Sequence, residues 1–137
     1  FPMRQLRINN AARPRNSWKL PVLQVLRLEG RMTCRDFGGG VKGFRFPGDR
    51  AHYFIEVQKP LTVAFVVTGK NFDKCAMINL LVNEKPVDAT TRTANKIVFG
   101  PVDMPAGKVP ISLTVFKNAK PGGAIGEVLK ITLIEKR

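Results

Sequence analysis

The sequence has few of the residues on which most enzyme active sites and metal centres depend. It holds one histidine, two cysteines and ten acidic residues among 137. It also has no apolar run close to the roughly 20 residues that a membrane-spanning helix needs. A zinc centre or a histidine-based catalytic cluster is therefore not expected. The length predicts one domain, large enough to fold without a metal or a disulfide, and whether Cys34 and Cys75 pair stays open.

Positive charge is abundant, with 23 Lys and Arg residues and a net charge of +13. An excess of this size favours polyanionic partners such as nucleic acid, anionic lipid or acidic polysaccharide. A solvated surface that keeps the protein soluble is the alternative. Residues 1–19 carry five basic residues, no acid and no sustained periodicity. We therefore predict an irregular basic arm or linker over 1–19 and a folded domain over 20–137.

Apolar residues recur at every second position in several segments, as they do in strands with one buried face. Gly- and Pro-containing turns separate these segments. The run 75–82 is apolar at both parities, which predicts a central strand covered on two sides. The predicted strands cover residues 22–28, 41–46, 53–57, 61–67, 75–82, 109–115 and 129–133. Short strands at this spacing, without an amphipathic helix, predict an all-β antiparallel sandwich or barrel.

Three segments resemble a known family. They are FPGDRAHYFIEVQKPLTVAFVV (46–67), INLLVNEKPV (78–87) and VDMPAGKVPISLTVFKNAKPGGAIGEVLKITLIEK (102–136). Their turns and strands resemble those of galactose-binding-like β-sandwich domains, which implies a jelly-roll fold. Such domains recur as non-catalytic carbohydrate-binding modules and as C-terminal accessory domains of glycoside hydrolases and sulfatases. The step from this fold to a ligand is an analogy.

The resemblance also implies positions for a sugar and a metal. Members of the family hold a sugar at one end of the sandwich, beside a final Gly-rich loop that matches residues 118–126 here. They bind a structural calcium partly through acids at the positions of Glu29 and Glu127. Calcium takes about 6–8 oxygen ligands. The alternative for these two carboxylates is simple exposure, each paired with a nearby arginine.

The remaining motifs do not indicate catalysis. His52 falls on the solvent-facing parity of a predicted strand, and no glycine-flanked serine or favoured carboxylate pair is present. We therefore predict that the protein is not an enzyme. Phe44 and Phe46 share a parity and are predicted to be core residues, whereas Phe37 and Phe72 beside turns are the better candidates for exposure. Trp18 is predicted to close the edge of the sandwich.

These observations favour a non-catalytic carbohydrate-binding or accessory module, with an acidic polysaccharide or other polyanion as its partner. A parent catalytic domain and a secreted or extracellular location follow from the same resemblance. The predicted contact loops are 30–43, 69–74, 87–96 and 117–126. Within them, Arg35 and Arg92 would pair with carboxylate or sulfate, and Phe37 and Phe72 would offer an apolar surface. The alternative is an assembly or coat-type sandwich whose arm contacts nucleic acid or a neighbouring subunit.

Overall fold

The computed structural model describes residues 6–8, 16–34 and 39–136. Thirteen strands of these residues form two sheets packed face to face, and none of the described residues forms a helix that could cross a membrane. The strands are β1 (Leu6–Ile8), β2 (Ser17–Leu20), β3 (Arg27–Glu29), β4 (Thr33–Cys34), β5 (Val41–Gly43), β6 (Arg50–Val57), β7 (Leu61–Lys70), β8 (Asn79–Val82), β9 (Lys85–Val87), β10 (Ala89–Arg92), β11 (Lys96–Met104), β12 (Gly107–Thr114) and β13 (Gly126–Glu135).

The two sheets have the strand orders of a jelly roll. The six-stranded sheet runs β1–β6–β12–β8–β9, with β3 beside the first half of β6 and β1 beside its second half. The seven-stranded sheet runs β10–β11–β7–β13–β5–β4, with β2 and β5 sharing one side of β13. Only β1 and β6 pair in parallel among the described strands. The predicted all-β antiparallel sandwich is therefore confirmed.

The core forms because the two long central strands bury alternate residues. In β6 the buried positions include Tyr53 and Ile55, and in β7 they include Val63 and Phe65. The Tyr53 hydroxyl donates a hydrogen bond to the backbone oxygen of Val22 at 2.6 Å, so its buried polar group is satisfied. Burial also raises the pKa of Tyr53 above its usual value.

Two of the three aromatic placements are confirmed. Trp18 on β2 is 6% exposed and Phe44 is fully buried. Phe46 is only half-buried, because its ring lies beneath the guanidinium groups of Arg31 and Arg45 at 4.9 and 5.4 Å. The prediction of Phe46 as a core residue is therefore wrong, and the ring serves as a cation–π partner near the surface.

Several strand boundaries differ from those that the apolar pattern predicts. The predicted strand 22–28 is a strand only at Arg27–Glu29, because the chain turns at Pro21, whose oxygen accepts from the Gln24 N–H. The run 75–82 is a strand only at Asn79–Val82, since residues before it bond to loops. The unpredicted β11 contains a cis Gly100–Pro101 bond and a register shift that interrupt its pattern.

The beginning of the chain is also more regular than predicted. Within 1–19, residues 6–8 and 17–19 belong to β1 and β2, which pair with β6 and β13. Three- and four-residue strands are too short to show a period. Residues 1–5 and 9–15 lie outside the described part of the chain.

Candidate functional site

Four connecting segments meet at one end of the sandwich, where β7 and β5 end and β11 and β13 begin. We call this surface the basic end and define it by residues 44–48, 70–78, 92–96 and 116–125. In a sandwich, loops at one end can be brought together without a change in the core. The sequence did not show which of the predicted loops share an end.

The long segment between β7 and β8 is hydrogen-bonded to two of the other segments of the basic end. The Phe72 N–H donates to the oxygen of Ala94 at 2.9 Å, which joins this segment to the β10–β11 turn. The Ala76 N–H donates to the oxygen of Phe44 at 2.8 Å, which joins it to the segment after β5. These bonds explain why residues 75–78 leave the strand conformation that their apolar pattern favours.

The Gly-rich loop 118–126 docks onto the same segment. The Gly122 N–H donates to the oxygen of Arg45 at 2.7 Å, and the Gly123 N–H donates to the oxygen of Lys74 at 2.9 Å. A side chain at Gly122 would collide with the backbone of Cys75 and Ala76. Only glycine therefore permits this close approach, and the loop is held as one unit with its neighbours.

A buried carboxylate fixes the segment that leads from β5 to β6. Asp49 is 1% exposed, and its two oxygens accept from three backbone N–H groups, those of Arg31, Arg45 and Phe46, at 2.9–3.0 Å. Its own backbone oxygen accepts from Val115 at 2.8 Å. Asp49 therefore does more than form the turn that the Pro-Gly-Asp motif indicates: it ties the segment after β3 and the segment after β5 to the end of β12.

Charge at the basic end is almost entirely positive. Its four segments contain a single acid, Asp73. None of the basic side chains forms an ion pair with a carboxylate of the described residues. These basic residues are Arg45, Lys70, Lys74, Arg92, Lys96, Lys117 and Lys120. Uncompensated cations on one surface attract anionic ligands.

Two contacts hold the Arg92 side chain. One terminal nitrogen donates to the oxygen of Ile78 at 2.9 Å, and its guanidinium lies 5.6 Å from the centre of the Phe99 ring. Partial burial lowers the pKa of Arg92, although a guanidinium stays charged in proteins. The remaining N–H donors form a planar fork that suits a carboxylate or a sulfate.

The structure brings together two of the four residues predicted for the ligand site. Phe72 and Arg92 both lie at the basic end, on neighbouring segments. Phe72 is half-buried and packs against the core and Gly69, so it is less exposed than predicted. Arg35 and Phe37 lie outside the described residues.

Arg45, Lys74 and Lys120 were not among the residues predicted for this site. Each is a single basic residue in a loop, and no local pattern distinguishes it from other surface cations. Gly122 was the available signal, because it permits the close approach that gathers these loops.

The two acids predicted as calcium ligands do not form an oxygen cluster. Glu29 lies in the six-stranded sheet and contacts His52 at 2.7 Å and Arg27 at 2.8 Å. The hydrogen bond with His52 lowers the pKa of Glu29. Glu127 lies in the seven-stranded sheet between Lys42 and Lys70. No group of three His, Cys, Asp or Glu side chains in the described residues is placed to hold a metal. Calcium binding by Glu29 and Glu127 stays a prediction.

Neither cysteine forms a disulfide, and they differ in environment. Burial raises the pKa of the Cys75 thiol to about 11, whereas Cys34 is exposed. At pH 8 only about one Cys75 thiol in a thousand is then ionised, and the thiolate is the reactive form.

We expect iodoacetamide to modify Cys34 at least tenfold faster than Cys75 in the native protein, which peptide mass spectrometry measures. Equal rates that persist at pH 9.5 would contradict this placement of Cys75.

The fold that these strands define is the jelly-roll β-sandwich found in carbohydrate-binding modules. No protein-family model matches the sequence, and no curated protein matches it.

Solved structures do match. The CBM36-1 domain of a multidomain xylanase from the hindgut metagenome of Trinervitermes trinervoides aligns with a TM-score of 0.68 at 17% identity, over 86% of this chain and 96% of that one. The Podospora anserina GH26-CBM35 β-(1,4)-mannanase aligns at 0.66 and 15%, over 89% of this chain and 28% of that one.

A third structure, Xyl-CBM35 in complex with a glucuronic acid containing disaccharide, aligns with a TM-score of 0.58 at 12% identity, over 88% of this chain and 93% of that one. At these identities the matches establish the fold alone. They confirm the predicted galactose-binding-like sandwich.

Proposed function

We propose that this protein is a non-catalytic module that binds acidic carbohydrate at its basic end. The observation that carries the proposal is the meeting of four segments with seven basic residues and one exposed acid, locked together by backbone hydrogen bonds. A preformed site loses little conformational freedom when a ligand binds. Unpaired cations in it select a ligand that carries carboxylate or sulfate groups.

The solved structures support the ligand class. One sandwich of the same fold was solved with a disaccharide that contains glucuronic acid. In this chain, Arg92 would hold the carboxylate with its free N–H donors, and the partly exposed edge of Phe72 would contact the apolar face of a sugar ring. Arg35 and Phe37 remain predicted members of the site. Attachment to a catalytic domain is part of the same proposal, because this chain matches only 28% of the mannanase chain. A secreted or extracellular location is proposed with it.

Replacing Arg92 with glutamine should weaken binding of a glucuronic-acid-containing disaccharide about tenfold or more, since a charge-assisted contact is worth roughly 1.5–3 kcal/mol. Isothermal titration calorimetry at two salt concentrations measures the effect. Arg7→Gln is the matched control, because Arg7 pairs with Glu56 outside the basic end and carries the same charge. An unchanged affinity of Arg92→Gln would remove Arg92 from the site. Absence of binding by the wild-type protein would refute the proposed function.

A further inference from the structure

The outer face of the seven-stranded sheet carries a second set of cations. Register places Lys130, Thr68 and Lys96 side by side on β13, β7 and β11, and Lys19 on β2 beside Thr132. Residues next to these lysines in their strands, such as Trp18, Ile97 and Ile131, are buried. Because side chains alternate across a sheet, the lysines point outward. Lys42 and Lys70 lie in the next row toward the basic end. We call the surface formed by the five lysines the lysine face; they are Lys19, Lys42, Lys70, Lys96 and Lys130.

The lysine face is not neutralised by its own acids. None of its five lysines pairs with a carboxylate of the described residues. Glu127 lies among them, but it is 7% exposed and accepts from the Gly40 N–H at 3.1 Å. The row that contains Thr68 therefore presents only positive charge to the solvent.

The opposite face of the molecule differs in this respect. On the six-stranded sheet, three arginines pair with glutamates across short distances. The pairs there are Arg7 with Glu56 at 3.1 Å, Arg27 with Glu29 at 2.8 Å, and Arg50 with Glu84 at 2.8 Å. Three arginines of the six-stranded sheet are thus compensated, whereas none of the five lysines on the other sheet is, which favours the lysine face for an anionic partner.

We infer that an acidic polysaccharide bound at the basic end continues across the lysine face. This inference rests on the proposed function. Lys70 and Lys96 belong to both surfaces, so the positive charge is continuous from one to the other. From Lys19 on β2 to Lys96 on β11 the face spans four strands, about 14 Å, which is wider than one sugar. The module therefore recognises a polymer rather than a chain terminus.

The chemistry of the face favours a polysaccharide over nucleic acid. Its cations are lysines, which act as point charges toward carboxylate, sulfate and phosphate alike and lack the arginine fork that reads base edges. The residues between them are small or β-branched, among them Val66, Thr68 and Thr132. No aromatic side chain stands on the described part of this face, although single-stranded nucleic acids require aromatic stacking. A flat surface of hydroxyl and methyl groups suits sugar rings.

The test compares chain lengths in matched variants. Wild-type protein is expected to bind a soluble polymer of glucuronic acid at least about tenfold more tightly than a glucuronic-acid-containing disaccharide. The variant with Lys19→Gln and Lys130→Gln should lose roughly tenfold in affinity for the polymer, with a smaller salt dependence. Its affinity for the disaccharide should stay within about twofold, because neither residue belongs to the basic end.

The control variant carries Lys85→Gln and Lys108→Gln, which remove the same charge from the six-stranded sheet. Equal losses in both variants would overturn the inference, since net charge alone would then explain them. Equal affinity for single-stranded DNA with the same dependence on Lys19 and Lys130 would overturn it too, in favour of a general polyanion face. Failure of the disaccharide to bind would refute the proposed function. If the polymer still bound in that case and its binding still required Lys19 and Lys130, the lysine face would be supported as a binding surface on its own.

Discussion

Replacing Asp49 with alanine is expected to lower the free energy of unfolding by about 4 kcal/mol. The substitution removes a buried carboxylate from three backbone N–H groups, those of Arg31, Arg45 and Phe46. Each buried donor left without an acceptor costs roughly 1–3 kcal/mol. Since a domain of this size has a total stability of about 5–15 kcal/mol, the loss is a large fraction of it. Urea denaturation followed by tryptophan fluorescence measures it, because Trp18 lies in the core.

Two further variants make this prediction sharper. Asp49→Asn keeps one acceptor oxygen and should lose about half as much stability, roughly 2 kcal/mol. Asp88→Ala is the control, because Asp88 is exposed and its side chain lies outside this network. It should change stability by less than about 0.5 kcal/mol. A loss as small for Asp49→Ala as for Asp88→Ala would show that the carboxylate does not hold these segments together.

Replacing Gly122 with alanine should reduce both stability and ligand binding. The added methyl group would meet the backbone of Cys75 and Ala76, which cannot move as a flexible side chain can. Overpacking of this kind costs about 1–3 kcal/mol. Because the loop would have to leave its position against residues 70–78, affinity for a glucuronic-acid-containing disaccharide should fall by about tenfold or more.

The neighbouring glycine supplies the matched control. A methyl group at Gly123 would have only the Lys74 oxygen within 4 Å, at 3.8 Å, which is an ordinary contact. Gly123→Ala should therefore retain its affinity and its unfolding midpoint. If Gly122→Ala binds the disaccharide as well as Gly123→Ala does, the docked position of the loop is not required for the site.

The long strands of this fold were predictable, because apolar residues recur at every second position along parts of β6, β7, β12 and β13, and in β6 the buried positions alternate over all eight residues. The short strands were not, since three residues carry no period. The strand β11 was missed for another reason: Pro101 and a register shift divide its apolar residues into two halves with different parity. The loop 71–78 shows the reverse effect, in which contacts with other segments override a strand-like pattern.

The candidate site was predictable only in part. Arg92 and Phe72 were selected because a loop cation would pair with carboxylate or sulfate and an aromatic ring beside a turn would offer an apolar surface, and the structure places both at one end. The sequence could not show that loops as distant as 44–48 and 116–125 meet, because that depends on which strands pair. The lysine face escaped sequence analysis for the same reason, since its members come from five strands that are distant along the chain.

One edge of β6 and one edge of β13 are each covered by two short strands, and this has a consequence for how the protein can be shortened. β1 covers the second half of β6, and β2 covers residues 131–134 of β13. A chain trimmed to begin after Leu20 would leave rows of amide and carbonyl groups on both of these long strands open to pairing with other molecules. β1 and β2 thus cover strand edges at which another chain could pair, and oligomers formed by such a truncated chain would reflect the newly exposed edges rather than a native assembly.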